Sequence, residues 1–78
     1  MRSIVIVRAA WDDEAKVWYV EDSDVPGLAT EADTVDELRQ KVLVRIDDLI
    51  EDAPDRPGEL AVELIAIAHD RLVLSRAA

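Results

Sequence analysis

Thr34-Val35-Asp36-Glu37-Leu38-Arg39-Gln40-Lys41-Val42-Leu43-Val44-Arg45-Ile46-Asp47-Asp48-Leu49 is the stretch that decides the fold of this 78-residue chain. Val35, Leu38, Val42, Ile46 and Leu49, with Ala53 beyond them, recur at spacings of three and four. That spacing lays a single apolar stripe along a helix. Thr34 and Glu37 match a capping box, in which the threonine hydroxyl accepts from the amide three residues on and the glutamate reaches back to the threonine amide. Pro54 and Pro57-Gly58 end the helix.

Both flanks of the helix read as strands. Ile4 to Ala10 is β-branched and apolar, interrupted by Arg8. Trp11 to Lys16 is short and polar, as a hairpin connection requires, and Val17-Trp18-Tyr19-Val20 follows as the second strand. Val25-Pro26-Gly27 is the clearest turn. Proline sets φ for the first central position and glycine accepts a positive φ at the second, which is the chemistry of a type II turn. Leu28 to Ala32 reads as a short third strand. On the far side of the helix, Leu60 to Ala68 is apolar except for Glu63, and its branched residues and the preceding Pro-Gly favour strand over helix.

The order is therefore β-β-β-α-β, an α+β fold. The first three strands form an antiparallel meander, and the helix crosses over so that the fourth strand lies parallel to the first. The expected spatial order is 3-2-1-4, with one helix on one face. Residues 1–70 form this domain, and residues 71–78 form a short tail containing Leu72-Val73-Leu74. A domain this small buries only about 60 to 65% of its unfolded surface. It has no cysteine, so neither a disulfide nor a thiolate-held metal can reinforce it, and self-association is the remaining remedy.

Strand alternation assigns the two sheet faces. Val5, Val7, Ala9, Trp18, Val20, Val62, Leu64 and Ala66 belong under the helix. Ile4, Ile6, Arg8, Val17, Tyr19, Glu21, Glu63, Ile65 and Ile67 belong to the open face. That open face is too apolar for a solvated sheet, and contiguous apolar patches mark interfaces. Ile4, Ile6, Tyr19, Ile65 and Ile67, with Leu72 and Leu74 of the tail, are the expected oligomer contacts, a homodimer being the expected assembly.

The net charge is −9, from 18 acids against 9 bases. This balance disfavours direct nucleic-acid binding, because phosphates need lysine and arginine. Asp47, Asp48, Glu51 and Asp52 crowd the last turns of the helix, where each exposed acid costs about 0.3 to 1 kcal/mol against the helix dipole. With Val44, which stands opposite the apolar stripe, they form an acidic surface able to dock a basic partner. No enzyme is indicated. Asp12, Asp13, Glu14, Glu21, Asp22 and Asp24 bunch in turns rather than converging as a two-metal site would require. His69 is the only histidine, and the only glycines are Gly27 and Gly58, so there is neither a metal cluster nor a phosphate loop. No catalytic residue, cofactor or metal is expected. No targeting segment or membrane-spanning run is visible, which makes the cytoplasm the expected compartment.

Three quoted segments then carry a resemblance. Val7-Arg8-Ala9-Ala10-Trp11-Asp12, Val17-Trp18-Tyr19-Val20 and Asp24-Val25-Pro26-Gly27-Leu28-Ala29-Thr30-Glu31-Ala32-Asp33-Thr34 resemble the HicB-like antitoxin superfamily, most closely a branch of small uncharacterised domains. The resemblance runs from Ile4 to Asp52 and more loosely through the last strand. It implies a partial ribonuclease H-like β-β-β-α-β fold, as the residues themselves indicate. It also implies binding and neutralisation of a small basic HicA-like RNA-cleaving toxin, whose catalytic histidine belongs to the toxin, and it implies dimers or larger assemblies. Antitoxins of this kind usually carry a C-terminal DNA-binding domain. About ten residues follow the last strand here, so operator binding is not expected. The other reading from the sequence is a self-associating module with no toxin partner.

Overall fold

The computed structural model describes residues 3–51 and 58–76. It contains strands β1 (Ser3–Asp12), β2 (Val17–Ser23) and β3 (Glu31–Ala32), helix α1 (Val35–Ile50) and strand β4 (Leu60–Ile67). The sheet order is β3-β2-β1-β4. β1 runs antiparallel to β2 and parallel to β4, as the crossover demands.

The β1–β2 connection is built by Asp12. Its carboxylate accepts from the amides of Glu14 and Ala15, and its carbonyl accepts from the Lys16 amide at 2.7 Å. Lys16 takes the positive φ of 59° that closes the turn. The second turn follows the expected chemistry. Gly27 has φ +83°, and the Leu28 amide donates to the Val25 carbonyl at 3.3 Å. Ser23 Oγ accepts from the Val25 amide, holding the approach to the proline.

Beyond this turn the third strand is shorter than Leu28 to Ala32. Only Glu31 and Ala32 pair with β2, opposite Tyr19 and Trp18. Leu28 is buried in the core instead, and a further bond from the Val20 amide to the Thr30 carbonyl leads into the pairing. Side-chain burial at Leu28, rather than backbone pairing, sets the course of this segment.

Thr34 caps α1 with extended backbone, and its hydroxyl accepts from the Glu37 amide at 3.1 Å. The reciprocal half of the capping box does not form. The Glu37 carboxylate turns to Lys41, 3.5 Å away, one turn along. Leu38, Val42 and Ile46 are the buried residues of the helix and pack on Val7, Ala9, Val25, Leu28 and Ala32. Ala53, the last position of the expected stripe, lies outside the described residues.

Face assignment follows the register. Val7 and Ala9 on β1 and Leu64 on β4 pack under the helix, whereas Ala66, opposite Ala9 in the register, is exposed. One departure from strict alternation occurs on β2. A bulge opposite the Arg8–Ala9 step puts Asp22, not Glu21, opposite Arg8. An extra residue shifts the alternation by one, so the Arg8 guanidinium pairs with the Asp22 carboxylate at 3.3 Å. Trp11 and Trp18 face each other across the hairpin on the covered side, ring centroids 5.6 Å apart and tilted by 57°.

Candidate interaction surfaces

The acids in the hairpins have structural occupations. Asp12 organises its own turn, as above. Asp13 accepts from Lys16 Nζ at 2.9 Å and from Trp11 Nε1 at 3.3 Å. The Lys16 hydrogen bond, then the Trp11 one, hold the Asp13 carboxyl below the usual carboxylate range. Asp22 pairs with Arg8, and Asp24 bonds the backbone of β1. Among the described residues, no three of histidine, aspartate and glutamate come together as a metal site would need. His69 is exposed, two residues past the end of β4.

The acidic helix end is assembled differently from a single cluster. At about 100° per residue, Val44, Asp48 and Glu51 share the outward face of α1, and Val44 is 62% exposed. Asp47 is turned about 60° from Val44 and about 40° from Glu51, toward β4. It lies with Leu43, Ile46, Ile50, Leu60 and Val62 along a groove between α1 and β4. The last turn of α1 contains no basic residue. Asp47 and Asp48 have no ion-pair partner among the described residues. Asp52, expected in the same group, lies outside the described residues. Lys41 and Arg45 lie on the other side of Val44, together with Thr30 and Gln40.

The open sheet face is partly apolar. Ile4, Ile65 and Ile67 are exposed, whereas Ile6 and Tyr19 are half-buried. The Arg8–Asp22 ion pair divides the surface, with Arg8 opposite Ile65 in the parallel register. Leu72, Val73 and Leu74 belong to neither face of the sheet. They are 90%, 81% and 84% exposed, on a segment that runs on past β4. The molecule measures 67 Å along its longest axis but 23 and 18 Å across, whereas a ten-residue strand such as β1 spans only about 33 Å.

Sequence reasoning missed the groove beside β4. One helix cannot cover four strands evenly. Val7 and Ala9 on central β1 are buried, while Leu60, Val62 and Leu64 on edge strand β4 are only partly so. Leu43, on the flank of α1 that faces β4, is 54% exposed. Its position beside the apolar stripe was the available signal.

The match to a family model is decisive for kinship. Residues 4–75 match the model described as a domain of unknown function, DUF1902. The chain belongs to the DUF1902 family. A solved relative shares the fold: the crystal structure of hypothetical protein TTHA1013 from the extremely thermophilic bacterium Thermus thermophilus is similar at 46% identity. That match covers 91% of this chain and 99% of the other, with a TM-score of 0.64. No curated protein matches the chain. The DUF1902 match reaches residue 75 and so includes Leu72-Val73-Leu74 as well as the sheet and helix. Among the described residues of this DUF1902 member, no helix is long and apolar enough to cross a membrane.

Proposed function

We propose that this chain is a protein-interaction module of the HicB-like antitoxin type, which binds and neutralises a small basic RNA-cleaving protein. The observation that carries the reading is the outward face of α1. There Val44, Asp48 and Glu51 present an apolar contact beside carboxylates, in a last turn with no basic residue and on a chain of net charge −9. Acids at that end work against the helix dipole, and docking a cationic surface gives them a use. The segments around Val7–Asp12, Val17–Val20 and Asp24–Thr34 support the kinship.

The partner's RNA-binding surface must be cationic to hold phosphates, so the same surface is complementary to this helix face. Binding there would block RNA without any catalysis by the present chain.

The test is to look beside this gene for a reading frame encoding a small basic protein, to co-express the two, and to assay RNA cleavage by the purified pair. Stoichiometric inhibition that weakens with salt, and that Asp48→Lys abolishes, is the expected result. A neighbour that neither co-purifies at low salt nor loses cleavage activity overturns the reading.

A further inference from the structure

We propose that a second copy of this chain docks antiparallel along the free edge of β4, the two copies exchanging tails so that Leu72 and Leu74 of each fill the other's groove between α1 and β4. The inference does not rest on the toxin reading, since it uses a different flank of the helix.

Four observations lead to it. First, β4 is an edge strand of eight residues, paired only to β1, so its other edge offers unpaired amides and carbonyls. Second, the groove beside that edge is mainly apolar, with one charged residue at each end. Val42, Leu43, Val62 and Leu64 line it beside Arg39 at one end, and Leu43, Ile46, Ile50, Leu60 and Val62 line it beside Asp47 at the other.

Third, Leu72, Val73 and Leu74 of the tail are almost wholly exposed, so they do not fill the groove of their own copy. Three nearly fully exposed aliphatic residues in a row are a cost unless something covers them.

Fourth, strand parity and charge both match. Ala68 and Asp70 lie beside Trp11 and Trp18, keeping the even-numbered residues past β4 on the covered side. If residues 60–76 of two copies pair antiparallel about a two-fold axis at Ala68, Leu72 falls opposite Leu64, and Leu74 opposite Val62. Residues directly opposite share a face, so both leucines enter the groove under Leu43. Arg76 then falls opposite Leu60, at the end of the groove where Asp47 has no ion-pair partner among the described residues. An isologous two-fold contact of this kind is closed, so it stops at a dimer.

The chain contains no cysteine, which makes a disulfide trap clean. Directly opposed residues in an antiparallel pair stand about 4.5 to 5.5 Å apart at Cα, within disulfide range. The full chain carrying Leu64→Cys and Leu72→Cys, oxidised mildly, is expected to give a covalent dimer on a non-reducing gel. An intrachain disulfide, which would mean the tail folds back on its own β4, overturns the exchange, as does failure to cross-link.

Sedimentation equilibrium of the unmodified chain supplies the second readout. A dimer is expected whose dissociation constant rises by about a hundredfold or more in the Leu72→Asp, Leu74→Asp double variant, the burial of two leucines being removed from each half. Both residues are exposed within one copy, so the fold of the protomer, read by circular dichroism, stays unchanged. A monomer at about 0.1 mM, a concentration at which even a weak specific dimer forms, overturns the proposal. So does a dimer indifferent to the double variant, which moves the interface to Ile4, Ile65 and Ile67 on the open face.

Discussion

Asp24 and Ile6 are joined by two hydrogen bonds. The Asp24 amide donates to the Ile6 carbonyl at 3.0 Å, and the Asp24 carboxylate accepts from the Ile6 amide at 2.9 Å. One residue thus satisfies both backbone groups of Ile6 just where the chain leaves β2 for the Pro26-Gly27 turn. The side chain completes a ladder rung that the departing backbone can no longer supply.

Replacing Asp24 with Ala leaves the Ile6 amide without its acceptor. The expected loss is about 1 kcal/mol of stability, with faster hydrogen exchange at the Ile6 amide and little change elsewhere in β1. Asp24→Asn keeps a side-chain oxygen acceptor and should lose less. Urea melts and amide exchange of the three proteins check this.

Gly27 should resist substitution for conformational reasons rather than lack of space. Its φ is +83°, and a Cβ placed there meets only Leu49 Cδ2, at an ordinary contact distance of 3.7 Å. Gly27→Ala is expected to cost about 1 to 2 kcal/mol. Gly27→Asn should cost less, because asparagine tolerates the left-handed region better. Comparing the two melting curves separates backbone strain from crowding.

The acidic end of α1 should be a place where stability can be gained. Asp48→Lys turns an unfavourable charge at the helix C-terminus into a favourable one. An increase of about 0.5 to 1 kcal/mol is expected, raising Tm by about 2 to 8 °C in a domain of this size. Tm should rise in the same variant that loses binding to the basic partner. A fall in Tm would show that Asp48 has a stabilising role within the fold.

Asp13 should titrate below the ordinary aspartate value of about 3.9, because Lys16 and Trp11 both hydrogen-bond its charged form. The folded pKa is depressed, so the contribution to stability is fully present above the unfolded value and is lost as pH falls through the folded one. The group is solvent-exposed, so the contribution is small. An NMR titration of the Asp13 carboxyl carbon checks the midpoint. High salt should raise it part of the way back by screening Lys16, and Lys16→Gln should do the same.

The element order, the 3-2-1-4 sheet, the core side of β1 and the Pro-Gly turn were legible from residue pattern. Periodicities of two and near 3.6 are local properties of the backbone, and Thr34, Gly27 and the stripe Leu38-Val42-Ile46 each state their role within a few residues. The α+β class follows from these, since a single helix between strands must cross over. Tertiary structure decided what local pattern could not encode. It shortened β3 to Glu31–Ala32, with Leu28 buried in the core and its amide donating to the Val25 carbonyl of the turn. It bulged β2 so that Asp22 meets Arg8, and it turned Glu37 toward Lys41 instead of back to Thr34. It also left a groove beside β4, lined in part by Asp47. The physical reason is that partner choice and cover are settled only where elements meet: the Arg8–Asp22 pair needs two strands in register, and one helix over four strands leaves the β4 edge only partly covered.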